Sequence, residues 1–317
     1  MASSALFPLA ESFSHNGWAI RYTTMPCPDS PDNWVVFVHG TPWSSDVFQP
    51  LAKALHAMGN YNILLYDLPG YGQSQQWTAP DSHSSEPDAS VKAQGQALAS
   101  LLNHLALSGT QKRPRVIAHD IAGVISLRAH LLHGCEYESL ALLDTNCVLP
   151  WGDKLYNLVR SSPEVFEEMP QGIFEGALRA IIRSARARTD LGLAGDGWED
   201  ILARPWIDSI EGQREVGRTS SRLSPQVSFV RQIKQADDTH TSELLEQGLY
   251  GAVRCPVKIL WGKEDHWIPR EKMEKLAALL GDNLKTFVTV PGAGHLIMLD
   301  QPERIAVEIC RWIEFGQ

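Results

Sequence analysis

The sequence lacks features that mark several large classes of proteins. Among its 317 residues, 28 are Lys or Arg and 37 are Asp or Glu, which gives a formal net charge of −9. This acidic balance leaves no basic surplus for a phosphate backbone, so we expect no nucleic-acid partner. No apolar run approaches the roughly 20 residues of a membrane-spanning helix, so we also expect no membrane segment.

Cysteine is scarce, and its spacing fits neither a disulfide framework nor a metal site. The five cysteines are scattered along the chain, at positions 27, 135, 147, 255 and 310. An odd number of isolated cysteines suggests buried thiols in a reducing compartment. The residues from Met1 to Pro8 carry neither a basic start nor a long apolar run, so we expect a cytoplasmic protein without a secretory signal. We predict no cofactor and no metal, and a monomer or a homodimer.

Short apolar runs alternate with helical patterns over much of the chain. Continuous apolar segments at 34–38, 62–66, 139–143 and 257–261 have the composition of strands buried on both faces. Helical spacing lies between them and after them, at 46–58, 91–107, 269–280 and 302–315. This alternation predicts an α/β fold with a mostly parallel central sheet flanked by helices.

The alternation stops in the middle of the sequence and then resumes. Residues 150–251 instead contain short helical pieces that prolines interrupt. We therefore predict a core formed by residues 1–149 and 252–317, with a helical cap domain inserted at 150–251.

The stretch 115–123, Arg-Val-Ile-Ala-His-Asp-Ile-Ala-Gly, combines a strand, a reactive residue and the start of a helix. Ala118, Ala122 and Gly123 are small residues around Asp120. A strand that turns at once into a helix strains its turn residue and needs small neighbours, as in the nucleophile elbow G-x-S-x-G. The pattern predicts an elbow that carries a carboxylate, although a strand ending in an acidic helix cap would look similar.

Other polar residues also follow apparent strands. Because ligands of parallel sheets bind beyond the carboxyl ends of the strands, these residues are candidates for one site. They are His39, Asp67, Asp120, Asp144, Asp265 and His295.

Five motifs occur in an order that resembles the α/β-hydrolase superfamily. They are His-Gly-Thr-Pro at 39–42, Asp-Leu-Pro-Gly-Tyr-Gly-Gln-Ser at 67–74, the elbow at 118–123, Trp-Gly-Lys-Glu-Asp at 261–265 and Gly-Ala-Gly-His at 292–295. With Asp in the elbow, the chain is similar to epoxide hydrolases and to haloalkane or haloacid dehalogenases. The resemblance implies catalysis through a covalent ester on an aspartate.

The resemblance also implies roles for individual residues. Asp120 would be the nucleophile, and His295 the base that activates water. Asp265 occupies the usual position of the acid that orients this histidine, and Asp144 is an alternative acid at the end of the strand after the elbow. The main-chain N–H groups of Thr41 and Ile121 would form the oxyanion hole.

Substrate recognition is less specific in the sequence. Candidate pocket residues are His39, Trp43, His119, Trp151, Tyr156, Trp206 and His240. His39 and His119 could equally be buried hydrogen-bonding partners within loops. Haloalkane dehalogenases hold halide with a Trp after the nucleophile, where this chain has Ile121. Epoxide hydrolases use two cap tyrosines, for which Tyr156 and Tyr250 are candidates.

Three functions therefore remain as hypotheses. The first is an epoxide-hydrolase-like enzyme acting on a small, mainly apolar molecule through an Asp120 ester. The second is a lactone, ester or C–C bond hydrolase, or a cofactor-free rearrangement or cyclisation enzyme of small-molecule (secondary) metabolism, in which Asp120 acts as a base or an orienting group. The third is a dehalogenase.

Overall fold

An eight-stranded sheet organises the chain, with strand order β1-β2-β4-β3-β5-β6-β7-β8. The computed structural model describes residues 8–80, 86–109, 112–152, 154–187, 197–208 and 224–316. The strands are β1 (Glu11–His15), β2 (Trp18–Met25), β3 (Trp34–Val38), β4 (Asn62–Tyr66), β5 (Arg115–His119), β6 (Ser139–Leu143), β7 (Val257–Gly262) and β8 (Leu284–Val290). β1 pairs antiparallel with β2, and β2 pairs antiparallel with β4. In this spatial order, every pair of neighbours from β4 to β8, β3 included, is parallel.

The helices follow the alternation that the sequence predicts. In chain order they are α1 (Gln49–Ala57), α2 (Val91–His104), α3 (Ala122–His133), α4 (Lys154–Ser161), α5 (Pro163–Glu167), α6 (Gln171–Ser184), α7 (Trp198–Ile207), α8 (Pro225–Gln235), α9 (Thr239–Glu246), α10 (Arg270–Leu280), α11 (Ile297–Asp300) and α12 (Pro302–Phe315). This architecture confirms the predicted fold class.

Local chemistry explains where individual helices begin and end. The Ser90 side chain accepts a hydrogen bond from the Ala93 amide at the start of α2, which is the usual role of an N-cap serine. Gly134 ends α3 in the left-handed conformation, with φ of +71°, where a residue with a Cβ would be strained. The helix predicted at 91–107 stops earlier, at His104, because Ala106 has a φ of +55°.

The first strand was not predicted from the sequence. β1 pairs with β2 at the edge of the sheet, and its residues are exposed or only partly buried. An edge strand of this kind lacks the continuous apolar run that identifies β4 and β6, whose residues are all buried.

Helices α4–α9 all lie between β6 and β7 in the chain. We call residues 150–251 the helical insertion; 153, 188–196 and 209–223 lie outside the described residues. Side-chain contacts fix it to the rest of the protein: the Trp206 indole donates to the Pro42 carbonyl at 2.7 Å, and the Gln232 amide donates to the Gly70 carbonyl at 3.1 Å. The insertion is therefore packed over the loops that follow β3 and β4.

Candidate active site

Asp120 lies at a sharp turn between β5 and α3. Its φ is +56°, a left-handed conformation that is uncommon for a residue other than glycine and that is often found at functional sites. Its carbonyl accepts hydrogen bonds from the amides of Gly123 and Asn146, at 3.1 and 3.0 Å. These contacts hold the strained residue at the carboxyl end of the central strand, as the elbow pattern predicts.

Short distances to neighbouring atoms explain why small residues are needed around this turn. A Cβ at Gly40 would lie 2.4 Å from the Asp120 Cβ and 2.7 Å from its Oδ2, and a Cβ at Gly123 would lie 2.5 Å from the Cys147 sulfur. Neither contact is possible without movement of the backbone. The glycines therefore allow the loop after β3 to approach the carboxylate.

The Asp120 carboxylate is 4% exposed and faces main-chain amides. The Thr41 amide donates to Oδ2 at 2.9 Å. Burial raises the pKa of Asp120 to about 6, while His295 and the amides of Thr41 and Ile121 oppose that rise. Near neutral pH the carboxylate is mostly ionised, with one oxygen held by these donors.

His295 connects Asp120 to a second carboxylate. Its Nδ1 donates to Asp265 Oδ2 at 3.0 Å, and its Nε2 lies 3.8 Å from Asp120 Oδ1. Within the described part of the chain, Nε2 is buried and has no hydrogen-bond partner. Burial lowers the pKa of His295, but the charges of Asp265 and Asp120 and the Asp265 hydrogen bond raise it above its ordinary value.

Asp265 is itself fixed by its own turn. Its Oδ1 accepts hydrogen bonds from the amides of Trp267 and Ile268, at 2.7 and 3.0 Å. The other oxygen is left for His295 Nδ1, so the orientation of the imidazole is set by a rigid partner. This geometry can position a base whose free nitrogen faces the Asp120 carboxylate.

Asp144, the alternative acid, lies in a different arrangement. Its Oδ1 accepts a hydrogen bond from the Gly262 amide at 2.7 Å. Burial, together with the nearby Asp265 charge, raises the pKa of Asp144 well above its ordinary value. Of the two candidate acids, Asp265 therefore makes the hydrogen bond with His295, whereas Asp144 accepts one from Gly262.

A pocket that is partly open to solvent leads to Asp120. Trp151 and Tyr156 reach it from the helical insertion. The Trp151 side chain is 2% exposed, and its indole N–H has no hydrogen-bond partner among the residues that the structure describes. The lining residues are Thr41, Asp120, Ile121, Asn146, Trp151, Gly152, Tyr156, Arg160, Ala236, Trp267 and Ile268.

Two of the candidate pocket residues are structural histidines. The Leu68 amide donates to His39 Nε2 at 3.0 Å, and burial lowers the pKa of His39 to about 4. His119 donates from Nε2 to the His295 carbonyl at 2.8 Å. Neither residue lines the pocket; both hold the loops around it, as the alternative interpretation of these histidines predicts.

Three further candidates also lie outside the pocket lining. Trp43 stacks on Trp267 with ring centroids 5.7 Å apart. Trp206 is buried, and its N–H is bonded to the Pro42 carbonyl. His240 lies on α9, where its carbonyl accepts a hydrogen bond from Arg128. None of the three is among the residues that line the described pocket at Asp120.

Several lining residues were not predicted from the sequence. Trp267 stacks on His295, with centroids 4.8 Å apart and an angle of 25° between the rings. The sequence feature that could have identified Trp267 is its position two residues after Asp265. Asn146, Arg160 and Ala236 carry no motif, and only the folded chain brings them to the pocket.

The described residues contain no group of three or more His, Cys, Asp or Glu side chains that could hold a metal ion. No helix in the described ranges is long and apolar enough to cross a membrane.

Comparisons with known proteins identify the family. The crystal structure of an alpha/beta hydrolase fold protein from Burkholderia ambifaria is 30% identical, with a TM-score of 0.77, over 96% of this chain and 98% of that chain. The enol-lactonase from Burkholderia xenovorans LB400 is 13% identical, with a TM-score of 0.69, over 96% of this chain and 99% of that chain. This second similarity shows the fold alone.

A curated relative, the uncharacterized hydrolase YugF of Bacillus subtilis (strain 168), is 22% identical over 281 residues, which cover 88% of this chain and 89% of that relative. The model of the alpha/beta hydrolase family matches residues 35–308. The chain therefore belongs to the alpha/beta hydrolase family.

Proposed function

We propose that this protein is a hydrolase in which Asp120 attacks an electrophilic sp³ carbon, with small, mainly apolar epoxides as its substrates. One observation carries the proposal. His295 Nε2, which has no hydrogen-bond partner in the described part of the chain, lies 3.8 Å from Asp120 Oδ1, while the Thr41 amide donates to Asp120 Oδ2. One carboxylate oxygen is thus held by a main-chain donor and the other faces a base.

The first step is an alkylation of the enzyme. Asp120 Oδ1 bonds to an epoxide carbon, and the C–O bond of the ring breaks. The oxygen that leaves the carbon takes a proton from the pocket, and a hydroxyalkyl ester of Asp120 remains. An attack on an ester carbonyl would instead give a mixed anhydride, which is why an aspartate nucleophile favours an sp³ electrophile.

The second step is hydrolysis of that ester. His295 Nε2 takes a proton from water, and the resulting hydroxide attacks the Asp120 carboxyl carbon. Negative charge develops on Oδ2, where the Thr41 amide already donates at 2.9 Å and the Ile121 amide also faces the carboxylate. Collapse of the intermediate breaks the bond from the carboxyl carbon to Oδ1, which leaves with the substrate. The leaving alkoxide takes the proton that His295 holds, and a diol is released.

Formation of the ester also prepares the base. The Asp120 charge is one of the factors that raise the pKa of His295. Once Asp120 is esterified, that charge is gone, so the imidazole holds a proton less tightly. His295 therefore becomes a more available base at the step that needs one.

The helical insertion supplies help for the leaving oxygen. Ile121 has no polar side chain, but Trp151 and Tyr156 both line the pocket, and the Trp151 N–H has no hydrogen-bond partner among the described residues. Tyr250 donates to the Cys147 carbonyl at 2.6 Å and is absent from the lining. We therefore assign this role to Trp151 with Tyr156 in place of a pair of tyrosines.

The test is to trap the ester. A His295→Gln variant incubated with styrene oxide should gain the mass of one epoxide, and peptide mapping should place the adduct on Asp120. Asp120→Ala is the matched control and should show neither adduct nor turnover. Full turnover by Asp120→Ala would refute the proposal.

A dehalogenase is the second candidate, because Trp151 lines the pocket and an indole N–H without a partner among the described residues also suits a halide leaving group. Both reactions pass through the same Asp120 ester. A panel of terminal epoxides and 1-haloalkanes distinguishes them: release of halide with no epoxide turnover would favour the dehalogenase.

A further inference from the structure

A buried carboxylate outside the reacting set joins the His295 loop to the helical insertion. Asp300 ends α11, and its side chain is 0% exposed. Its Oδ2 accepts hydrogen bonds from the amides of Gly294 and Ala187, both at 2.8 Å, and its Oδ1 accepts one from Arg186 Nε at 2.9 Å. One side chain thus binds the residue before His295 and two residues after α6.

The backbone reinforces the same junction on the other side of His295. The Leu296 amide donates to the Ala185 carbonyl at 2.9 Å. A Cβ at Gly294 would lie 2.7 Å from the Ala187 nitrogen and 3.0 Å from the Ala185 oxygen. Both neighbours of His295 in the sequence are therefore docked against residues 185–187, which we call the α6 extension.

The rest of the loop is held by the core instead. Glu264 Oε2 accepts hydrogen bonds from the amides of Gly292 and Ala293, at 2.8 and 3.1 Å. Glu264 belongs to the same turn as Asp265, so this half of the loop would keep its place without the insertion. The Asp300 contacts and the Leu296–Ala185 hydrogen bond connect the His295 end of the loop to the α6 extension, while the His295 carbonyl is bonded to His119 of the core.

We propose that Asp300 is a positioning residue that holds His295 at its distance from Asp120 by tying the His295 loop to the α6 extension. The inference rests on the proposed function for its kinetic consequence. The ionised side chain is compensated by Arg186, and hydrogen bonds to a charged acceptor are about twice as strong as neutral ones. The same contacts make the position of the base depend on the docking of the insertion that carries Trp151 and Tyr156.

The two chemical steps should respond differently when this junction is weakened. Asp120 is placed by β5, Gly40 and Thr41, whereas the Asp300 side chain bonds to Gly294, Arg186 and Ala187. Ester formation therefore does not depend on Asp300, whereas water activation by His295 does. A general loss of folding would instead reduce both steps together.

The experiment compares Asp300→Asn with Asp200→Asn, a variant of an exposed residue of the insertion that pairs with Arg179. In single-turnover measurements with styrene oxide, Asp300→Asn should form the ester at the wild-type rate. It should hydrolyse the ester roughly 10- to 100-fold more slowly, the range expected for a displaced catalytic group. Asp200→Asn should match the wild type in both steps.

A second readout needs no substrate. Proton NMR of the ligand-free enzyme should show the His295 Nδ1 proton that is bonded to Asp265, assigned by its loss in His295→Gln. Asp300→Asn should shift or broaden this resonance and change the pH at which the ring titrates. Asp200→Asn should leave the resonance unchanged, so failure of the proposed function would not prevent this test.

If Asp300→Asn does not fold, Gly294→Ala serves as the second variant, because its Cβ pushes the α6 extension away while Asp300 remains. The same change in the Nδ1 resonance is expected. A folded variant of either kind with an unchanged resonance, or with both chemical steps slowed equally, would overturn the proposal.

Discussion

His295 Nε2 and Asp120 Oδ1 face each other at 3.8 Å, without a hydrogen bond between them. The separation follows from their anchors. Asp120 is held by the turn after β5 and by Thr41, and His295 by Asp265 on the turn after β7. Each side chain is therefore oriented by its own set of contacts, and in the proposed reaction His295 would activate a water next to the Asp120 carboxyl group.

Asp265 and Asp144 should differ sharply when each is changed to Asn. Asp265→Asn removes the negative charge that orients His295 and stabilises its protonated form. We therefore expect kcat to fall on the order of 10³- to 10⁴-fold and the pKa of His295 to fall. Asp144 bonds to the Gly262 amide rather than to His295, and Asn can still accept that hydrogen bond, so Asp144→Asn should lower kcat much less. Steady-state kinetics decide the matter, and a larger effect at Asp144 would reverse the assignment.

Asp120→Asn should stabilise the protein at neutral pH. Burial raises the pKa of Asp120 from 3.8 to about 6, so the folded state binds this proton more tightly than the unfolded chain does. The contribution of Asp120 to stability is therefore fully present below pH 3.8 and is lost as the pH rises through about 6. Asn avoids that loss, which is worth at most about 3 kcal/mol at pH 7.

Urea unfolding at pH 7 and pH 4 measures this effect. The gain in the free energy of unfolding should be present at pH 7 and nearly absent at pH 4. The exposed Asp282 provides the control, because Asp282→Asn should change stability at neither pH. An equal gain for Asp120→Asn at both pH values would contradict the expected origin of the effect.

Gly40→Ala and Gly176→Ala form a matched pair. A Cβ at Gly40 would collide with the Asp120 side chain, whereas one at Gly176, within α6, has no atom within 4 Å. Gly40→Ala should abolish ester formation. Gly176→Ala should retain activity and gain about 0.5–1 kcal/mol of stability, the usual difference between the two residues in a helix. Activity and thermal unfolding are measured on both; an active Gly40→Ala would show that the close approach is dispensable.

Trp151→Phe tests the donor for the leaving oxygen. A smaller aromatic ring remains and the N–H is lost, so the rate of ester formation should fall by roughly 10²-fold, with little change in ester hydrolysis. Trp34→Phe is the control, since the Trp34 N–H bonds to the Pro31 carbonyl outside the pocket. Burst kinetics with styrene oxide separate the two steps, and equal rates in Trp151→Phe and the wild type would exclude this role.

The sequence by itself determined most of the fold. Buried parallel strands need apolar side chains on both faces. The strands β3, β4, β6 and β7 can therefore be recognised in the sequence as continuous apolar runs. The elbow can be recognised for a related reason. Other parts of the chain lie close to its strained turn, so only small residues fit around Asp120. By contrast, the residues of β1 are exposed or partly buried and carry no such pattern. This strand forms by pairing with β2 at the edge of the sheet.

Only the tertiary structure decided which polar residues meet. Asp144 and Asp265 follow adjacent strands, β6 and β7, so the sequence left both as partners for His295. The Gly262 amide donates to Asp144. The Trp267 and Ile268 amides donate to one oxygen of Asp265 and so orient its other oxygen toward the imidazole. The pocket lining and the Asp300 junction join residues more than 100 positions apart. Such contacts depend on how the insertion packs over the sheet, and local sequence patterns do not encode that packing.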